Sequence, residues 1–116
     1  MNGEHEPLRF YLLEVATIQP LKEGEEAELL RHVWNQDEQQ ESASKRLIEA
    51  NLHLVVSIAK GHSSAGLPMF DLIENGNIGL MVALETFATD SPGSFSDHAA
   101  GCIERAISKA SLHNKR

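Results

Sequence analysis

Residues 71–83, DLIENGNIGLMVA, hold the side chains best suited to specific contact with another molecule. Asp71, Glu74, Asn75 and Asn77 set carboxylates and amides into an otherwise apolar run that also carries Met81. On a helix, positions 71, 74, 75 and 78 share a face at i, i+3, i+4 spacing, and 77 and 81 lie on an adjacent stripe. Gly76 and Gly79 each cost about 1 kcal/mol relative to alanine in a helix interior. A helix that keeps both needs a close backbone approach or a bare face. Polar side chains beside two such glycines point to a protein-docking surface.

The residue types that could do covalent or metal chemistry are poorly placed for it. The six histidines (His5, His32, His53, His62, His98, His113) show neither HxxxH nor HExxH spacing. Cys102 is the only cysteine, which excludes an internal disulfide and a cysteine-rich zinc site. With no activating base nearby in sequence, it reads as a small buried residue. Ser57, Ser63, Ser64 and Ser96 lack a nucleophile-elbow pattern, and no glycine-rich loop could cradle a phosphate. The expectation is a non-enzyme with no metal, no cofactor and no small-molecule substrate.

The elements that must position the 71–83 face all read as helices. Pro7 suits a first turn, and Leu8, Tyr11, Leu12 and Val15 follow as an apolar stripe. Pro20 separates this helix from one near 22–35, where acids crowd the first turn and suit the helix dipole. The polar stretch NQDEQQESAS reads as a loop or frayed end. A long amphipathic helix at about 44–62 contains RLIEANLHLVVSIAK, with Leu47, Ile48, Leu52, Val55, Val56 and Ala59 at helical spacing. GHSSAGLP ends it, and residues 69–87 form the next helix. TDSPGS is a turn, after which Ser94 or Ser96 can cap a last helix. Leu47, Leu52, Val55, Val56, Ile73, Leu80, Leu84, Phe87 and Ile103 are the expected core. Helix 46–60 should pack on helix 70–87, with the last helix across both. The fold class is all-α, a bundle of four to five helices.

A chain of 116 residues makes a single domain, residues 1–116, with a modest core. Its apolar stretches fall short of the roughly 20 residues that cross a membrane, and MNGEHEPLRF lacks the apolar segment of a signal peptide. A cytoplasmic protein without a membrane partner is expected. Net charge is −7, and residues 1–45 carry ten acids against four bases. Residues 70–110 carry six acids and only Arg105 and Lys109 as bases. Nucleic-acid affinity comes mainly from Lys and Arg on phosphates, and no basic stripe is present.

RLIEANLHLVVSIAK and GLPMFDLIENGNIGLMVALETF together resemble the helical core domain of bacterial primary-type RNA polymerase sigma factors. The resemblance covers about residues 6–110 and runs without a gap from Arg46 onward. It divides the chain into a preceding helical segment at about 6–43 and a core-binding domain at about 44–110. The family grips the coiled coil of the polymerase clamp with an aspartate, a glutamine–glutamate pair, an asparagine and a methionine. By resemblance these fall on Asp71, Glu74, Asn75, Asn77 and Met81. Glu74 and Asn75 stand where glutamine and glutamate are usual, and His53 where arginine is common.

The departures cluster in the segment that opens promoter DNA in the family. There aromatic side chains stack on unpaired bases, each worth about 1–3 kcal/mol. The matching positions here are Thr89, Gly93, His98, Gly101 and Cys102. The family's basic positions fall on Asp90, Ser91, Ser94 and Glu104. What remains for DNA contact is His98, Arg105, Ser108 and Lys109. The resemblance therefore implies a sigma-factor-like protein of transcription initiation or its regulation, docking on core RNA polymerase through the 70–84 helix. Its promoter-melting residues are largely lost, and promoter DNA binding by this chain alone should be weak or absent. The alternative is a sigma-factor mimic that binds an anti-sigma protein and releases a genuine sigma factor. An independent DNA-binding domain is disfavoured by the missing basic stripe.

Overall fold

Six α-helices make up the described part of the chain in a computed structural model that describes residues 5–88 and 93–114. They are α1 (His5–Ala16), α2 (Glu25–Asn35), α3 (Gln40–Ala50), α4 (Leu52–Lys60), α5 (Met69–Thr86) and α6 (Phe95–Asn114). A short 3-10 turn at Ser63–Ala65 follows α4, and no strand occurs among the described residues. The all-α bundle expected from helical periodicity is what forms.

The long helix expected at 44–62 appears instead as two, α3 and α4. The break is at Asn51, whose φ of −107° and ψ of 6° leave the helical region. Its Nδ2 donates to the Leu47 carbonyl at 2.8 Å, and its backbone N–H bonds to Ile48 O at 3.1 Å, three residues back. The buried amide is anchored on both sides of this break, to Leu47 of α3 and to Ser96 of α6. The polar stretch read as a loop or frayed helix end is helical from Gln40 onward, where α3 begins. Asp37 explains that start. Its Oδ1 accepts from Gln39 N at 2.9 Å, a turn that leads directly into α3. The 43/44 boundary thus lies inside a helix.

The core gathers around the α5–α6 pair, the most extensive helix contact, with α4 against both. Phe95, Leu47, Leu72, Leu80, Ile103, Ile107 and Val55 are fully buried. Leu52 and Leu84, expected in the core, are only half-buried. Two glycines let the helices close. A Cβ on Gly76 would lie 2.7 Å from Val55 Cγ1, and one on Gly79 would lie 2.7 Å from the Cys102 carbonyl oxygen. Both glycines are buried, so close approach rather than a bare face is their role.

The N-terminal helices are tied on by polar contacts. Arg46 Nε donates to Glu25 Oε2 at 3.0 Å, and its Nη atoms donate to the Gln19 and Pro20 carbonyls at 3.0 and 3.2 Å. Trp34 Nε1 donates to Phe87 O at 3.1 Å, and the two rings stack with centroids 6.3 Å apart. Glu26 Oε2 accepts from Phe95 N at 3.0 Å, setting a carboxylate on the first turn of α6, where the dipole favours it. Ser94 caps α6, its hydroxyl accepting from Asp97 N at 3.1 Å. Ser96, the other candidate cap, instead donates to Asn51 Oδ1 at 3.1 Å and links α6 to the α3–α4 break.

Two of these ties respond to acid. The Arg46 hydrogen bond, aided by the Lys22 backbone N–H, holds the Glu25 carboxyl below its ordinary value of 4.5. The hydrogen bond to His32 Nδ1, 2.7 Å away, holds Asp37 below 3.8. A lowered folded-state value means that the folded chain binds fewer protons than the unfolded one. The stabilisation is complete above the unfolded value and is lost as pH falls through the folded one. Urea midpoints should therefore fall as pH drops below about 4.5, and Arg46→Gln should remove the Glu25 share of that slope.

Candidate docking face on α5 and the α6 surface

Along α5 the buried positions Leu72, Ile73, Gly76, Gly79, Leu80 and Ala83 face the bundle. The opposite side is open to solvent. It carries Phe70, Asp71, Glu74, Ile78, Met81, Val82 and Glu85, recurring every three to four residues as one stripe. Ile78 is 53% exposed, Met81 55% and Val82 43%. Large apolar side chains exposed together along one helix are the usual mark of an interaction surface.

The sequence-predicted site residues mostly meet on this stripe. Asp71, Glu74 and Met81 are exposed, and Asn75 is half-buried, with Nδ2 donating to the Asp71 carbonyl at 2.8 Å. Asn77 departs from the expected exposed face. It follows buried Ile73 by four residues and precedes buried Leu80 by three, so it sits on the edge of the stripe and is half-buried. Its Oδ1 is buried with no hydrogen-bond partner among the described residues. None of the Asp71, Glu74 and Glu85 carboxylates forms an ion pair among the described residues, so the stripe is acidic as well as apolar. Beside it, a groove of about 520 Å³ runs between α3 and α5, lined by Lys45, Ile48, Glu49, Met81, Leu84 and Glu85. Sequence reasoning missed Phe70, Val82 and this groove. Val82 extends the 71, 75, 78 spacing by one more turn, which could have pointed to it.

The residues considered for DNA contact lie on α6. Positions 98, 102, 105 and 109 are spaced i, i+4, i+7, i+11 and form one stripe. His98 packs on Phe87, with centroids 5.4 Å apart, and its Nε2 lies 2.8 Å from Thr86 Oγ1. That ring is engaged within the fold rather than presented as a platform. Cys102 is buried, as expected, with Arg105 Nη2 3.5 Å from its Sγ. Arg105 and Lys109 are exposed. Ser108 sits on a neighbouring row and donates to Glu104 Oε2 at 3.1 Å, an oxygen also 2.7 Å from His62 Nε2. Gly93, at an aromatic position of the family, has a φ of 81°, left-handed backbone that favours glycine over any aromatic residue. Thr89, Asp90 and Ser91 lie outside the described residues. No helix among the described residues is long and apolar enough to cross a membrane.

Comparison with known proteins agrees with this arrangement. The sequence is 42% identical over 106 residues to the RNA polymerase sigma factor SigA of a Bacillus species, covering 91% of this chain and 27% of the relative. It is also 42% identical over 105 residues to the RNA polymerase sigma factor SigA of Clostridium acetobutylicum, covering 90% of this chain and 27% of that protein. The chain thus spans about a quarter of the length of these curated relatives. A sequence model described as Sigma-70 region 2 matches residues 47–116, which take in α5, α6 and the exposed stripe. With more than half of its length matched, the chain belongs to the Sigma-70 region 2 family.

Proposed function

We propose that this chain is a sigma-type protein of transcription initiation or its regulation that docks on the clamp coiled coil of core RNA polymerase. Asp71, Glu74, Asn75, Asn77 and Met81 make the contact, and residues from about 44 onward form the docking domain behind a preceding helical segment. The observation that carries this reading is the exposed stripe of α5. It is apolar at Ile78, Met81 and Val82 and acidic at Asp71, Glu74 and Glu85, and its exposure is otherwise unexplained in a free domain. The chain works by binding in the cytoplasm and catalyses nothing itself.

Promoter opening is not part of the proposal. His98 is engaged by Phe87 and Thr86, and a glycine and a buried cysteine occupy two further stacking positions. The same loss favours a second reading, in which the chain mimics a sigma factor and occupies an anti-sigma protein, since a mimic has no need of melting residues. The test is a pull-down from native lysate with the tagged chain, paired with a low-salt mobility shift on a single-stranded promoter element. Recovery of the large polymerase subunits, with no shift at micromolar protein, is expected. Recovery of a small regulator instead would favour the mimic. Salt-sensitive, sequence-preferring DNA binding would overturn both.

A further inference from the structure

We propose that the trough between α5 and α6 docks an acidic amphipathic helix of a protein partner. This surface adjoins the exposed stripe of α5 and shares Ile78 and Val82 with it. Its floor is made by Gly79, Cys102 and Ala106, its apolar wall by Ile78 and Val82, and its rim by Arg105 and Lys109; it encloses about 220 Å³. The trough exists because Gly79 has no side chain. A Cβ there would lie 2.7 Å from Cys102 O and 3.0 Å from Ala106 Cβ, so the two helices meet backbone to backbone. Small residues over that contact leave a depression, and the larger Ile78 and Val82 stand beside it, both well exposed.

Charge decides the occupant. Arg105 and Lys109 are the only bases in residues 70–110, and the fold puts both on this rim, one helical turn apart. Neither forms an ion pair among the described residues, and the Arg105 guanidinium donates to the Cys102 sulfur at 3.5 Å. Asp71 lies on the same row of α5 as Ile78 and Val82, two turns before Ile78, and Glu74 and Glu85 lie farther round the helix, so the positive charge is confined to the α6 rim. An apolar groove with two cations that form no ion pair among the described residues fits an amphipathic helix that lays its apolar side chains on Ile78, Val82 and Ala106. Its carboxylates then meet Arg105 and Lys109, a pairing that sets orientation and rejects basic partners. Nucleic acid fits less well, because two cations neutralise few phosphates and no exposed aromatic side chain lines the trough.

Two labelled 18-residue peptides test this, one a helix with an apolar stripe flanked by glutamates and the other its lysine twin. Binding is read by fluorescence anisotropy, and the contact is mapped by amide chemical shifts on the intact chain. The glutamate peptide is expected to bind at least about tenfold tighter than its twin, weakening with salt. Its shifts should centre on Val82, Ala106 and Lys109 and leave Asp71 and Glu74 unmoved. Arg105→Glu/Lys109→Glu should reverse the preference between the twins. Lys109→Glu alone, at an exposed residue, should weaken the acidic peptide without altering the thermal midpoint. Equal binding of the twins, shifts centred elsewhere, no saturable binding of the acidic peptide to about 1 mM, or its displacement by a single-stranded oligonucleotide would each overturn the proposal.

Discussion

Met81→Glu is expected to weaken the proposed docking on core RNA polymerase by about 30–100-fold, which corresponds to roughly 2–3 kcal/mol. The loss should come without a loss of fold. Met81 is 55% exposed and sits at the lip of the α3–α5 groove, so a carboxylate there remains solvated in the free chain. Surface substitutions of this kind change stability by no more than about 0.5 kcal/mol. In the complex the same carboxylate would be buried among apolar groups with no partner, and it would add to the negative charge of Asp71, Glu74 and Glu85. Central apolar anchors of an interface are worth at least about 2 kcal/mol when truncated, and an unpaired buried charge raises the cost. Titration of labelled chain into purified core enzyme measures the affinity, and thermal unfolding checks the fold. Unchanged affinity in a folded variant would remove Met81 from the interface.

Gly79→Val should cost the fold about 3 kcal/mol or more, a large fraction of the 5–15 kcal/mol that holds an ordinary domain together. The first atom of any side chain at Gly79 meets backbone: Cys102 O at 2.7 Å and Ile103 Cα at 3.0 Å. Backbone cannot rotate away, so α5 and α6 must separate along their main contact. Overpacking of this kind costs about 1–3 kcal/mol for modest additions, and valine adds two further methyl groups. Gly79→Ala should still destabilise, by about 1–2 kcal/mol, because the gain of about 1 kcal/mol in helix propensity offsets only part of the clash. Gly76→Ala is the informative contrast. Its Cβ would meet side chains rather than backbone, Val55 Cγ1 at 2.7 Å and Ile107 Cδ1 at 3.1 Å, and the longer Ile107 can give way more easily than a carbonyl. It should be the milder of the two alanine substitutions. Urea midpoints of the three variants rank these costs, and a Gly79→Ala chain more stable than its parent would contradict the close approach.

Helical periodicity was legible throughout the chain because one face of each helix is buried, and burial imposes a 3.6-residue repeat on the sequence. The stripes of α1 and α5 and the core at Leu47, Val55, Leu80 and Ile103 follow from that alone. So does the outward placement of Asp71, Glu74 and Met81, which fall on the side of α5 opposite its buried positions. Family membership was legible for a related reason: long runs such as RLIEANLHLVVSIAK and GLPMFDLIENGNIGLMVALETF carry the family's pattern in contiguous residues.

Contacts between residues far apart in sequence were not legible. The Asn51 break depends on a side chain that bonds back to Leu47 and accepts from Ser96, 45 positions away. His98 was among the residues left for DNA contact, yet Phe87 and Thr86 engage its ring within the fold. Asn77 looked exposed on a wheel, yet its amide oxygen is buried at the edge of the stripe. The pairing of Arg105 and Lys109 with Ile78 and Val82 needs two helices to meet at Gly79, and no spacing within either helix announces it. Local sequence determined which face of each helix is apolar, because that depends only on periodicity along one element. Tertiary structure alone decided which polar groups are satisfied and which surfaces adjoin, because both depend on how closely separate elements approach.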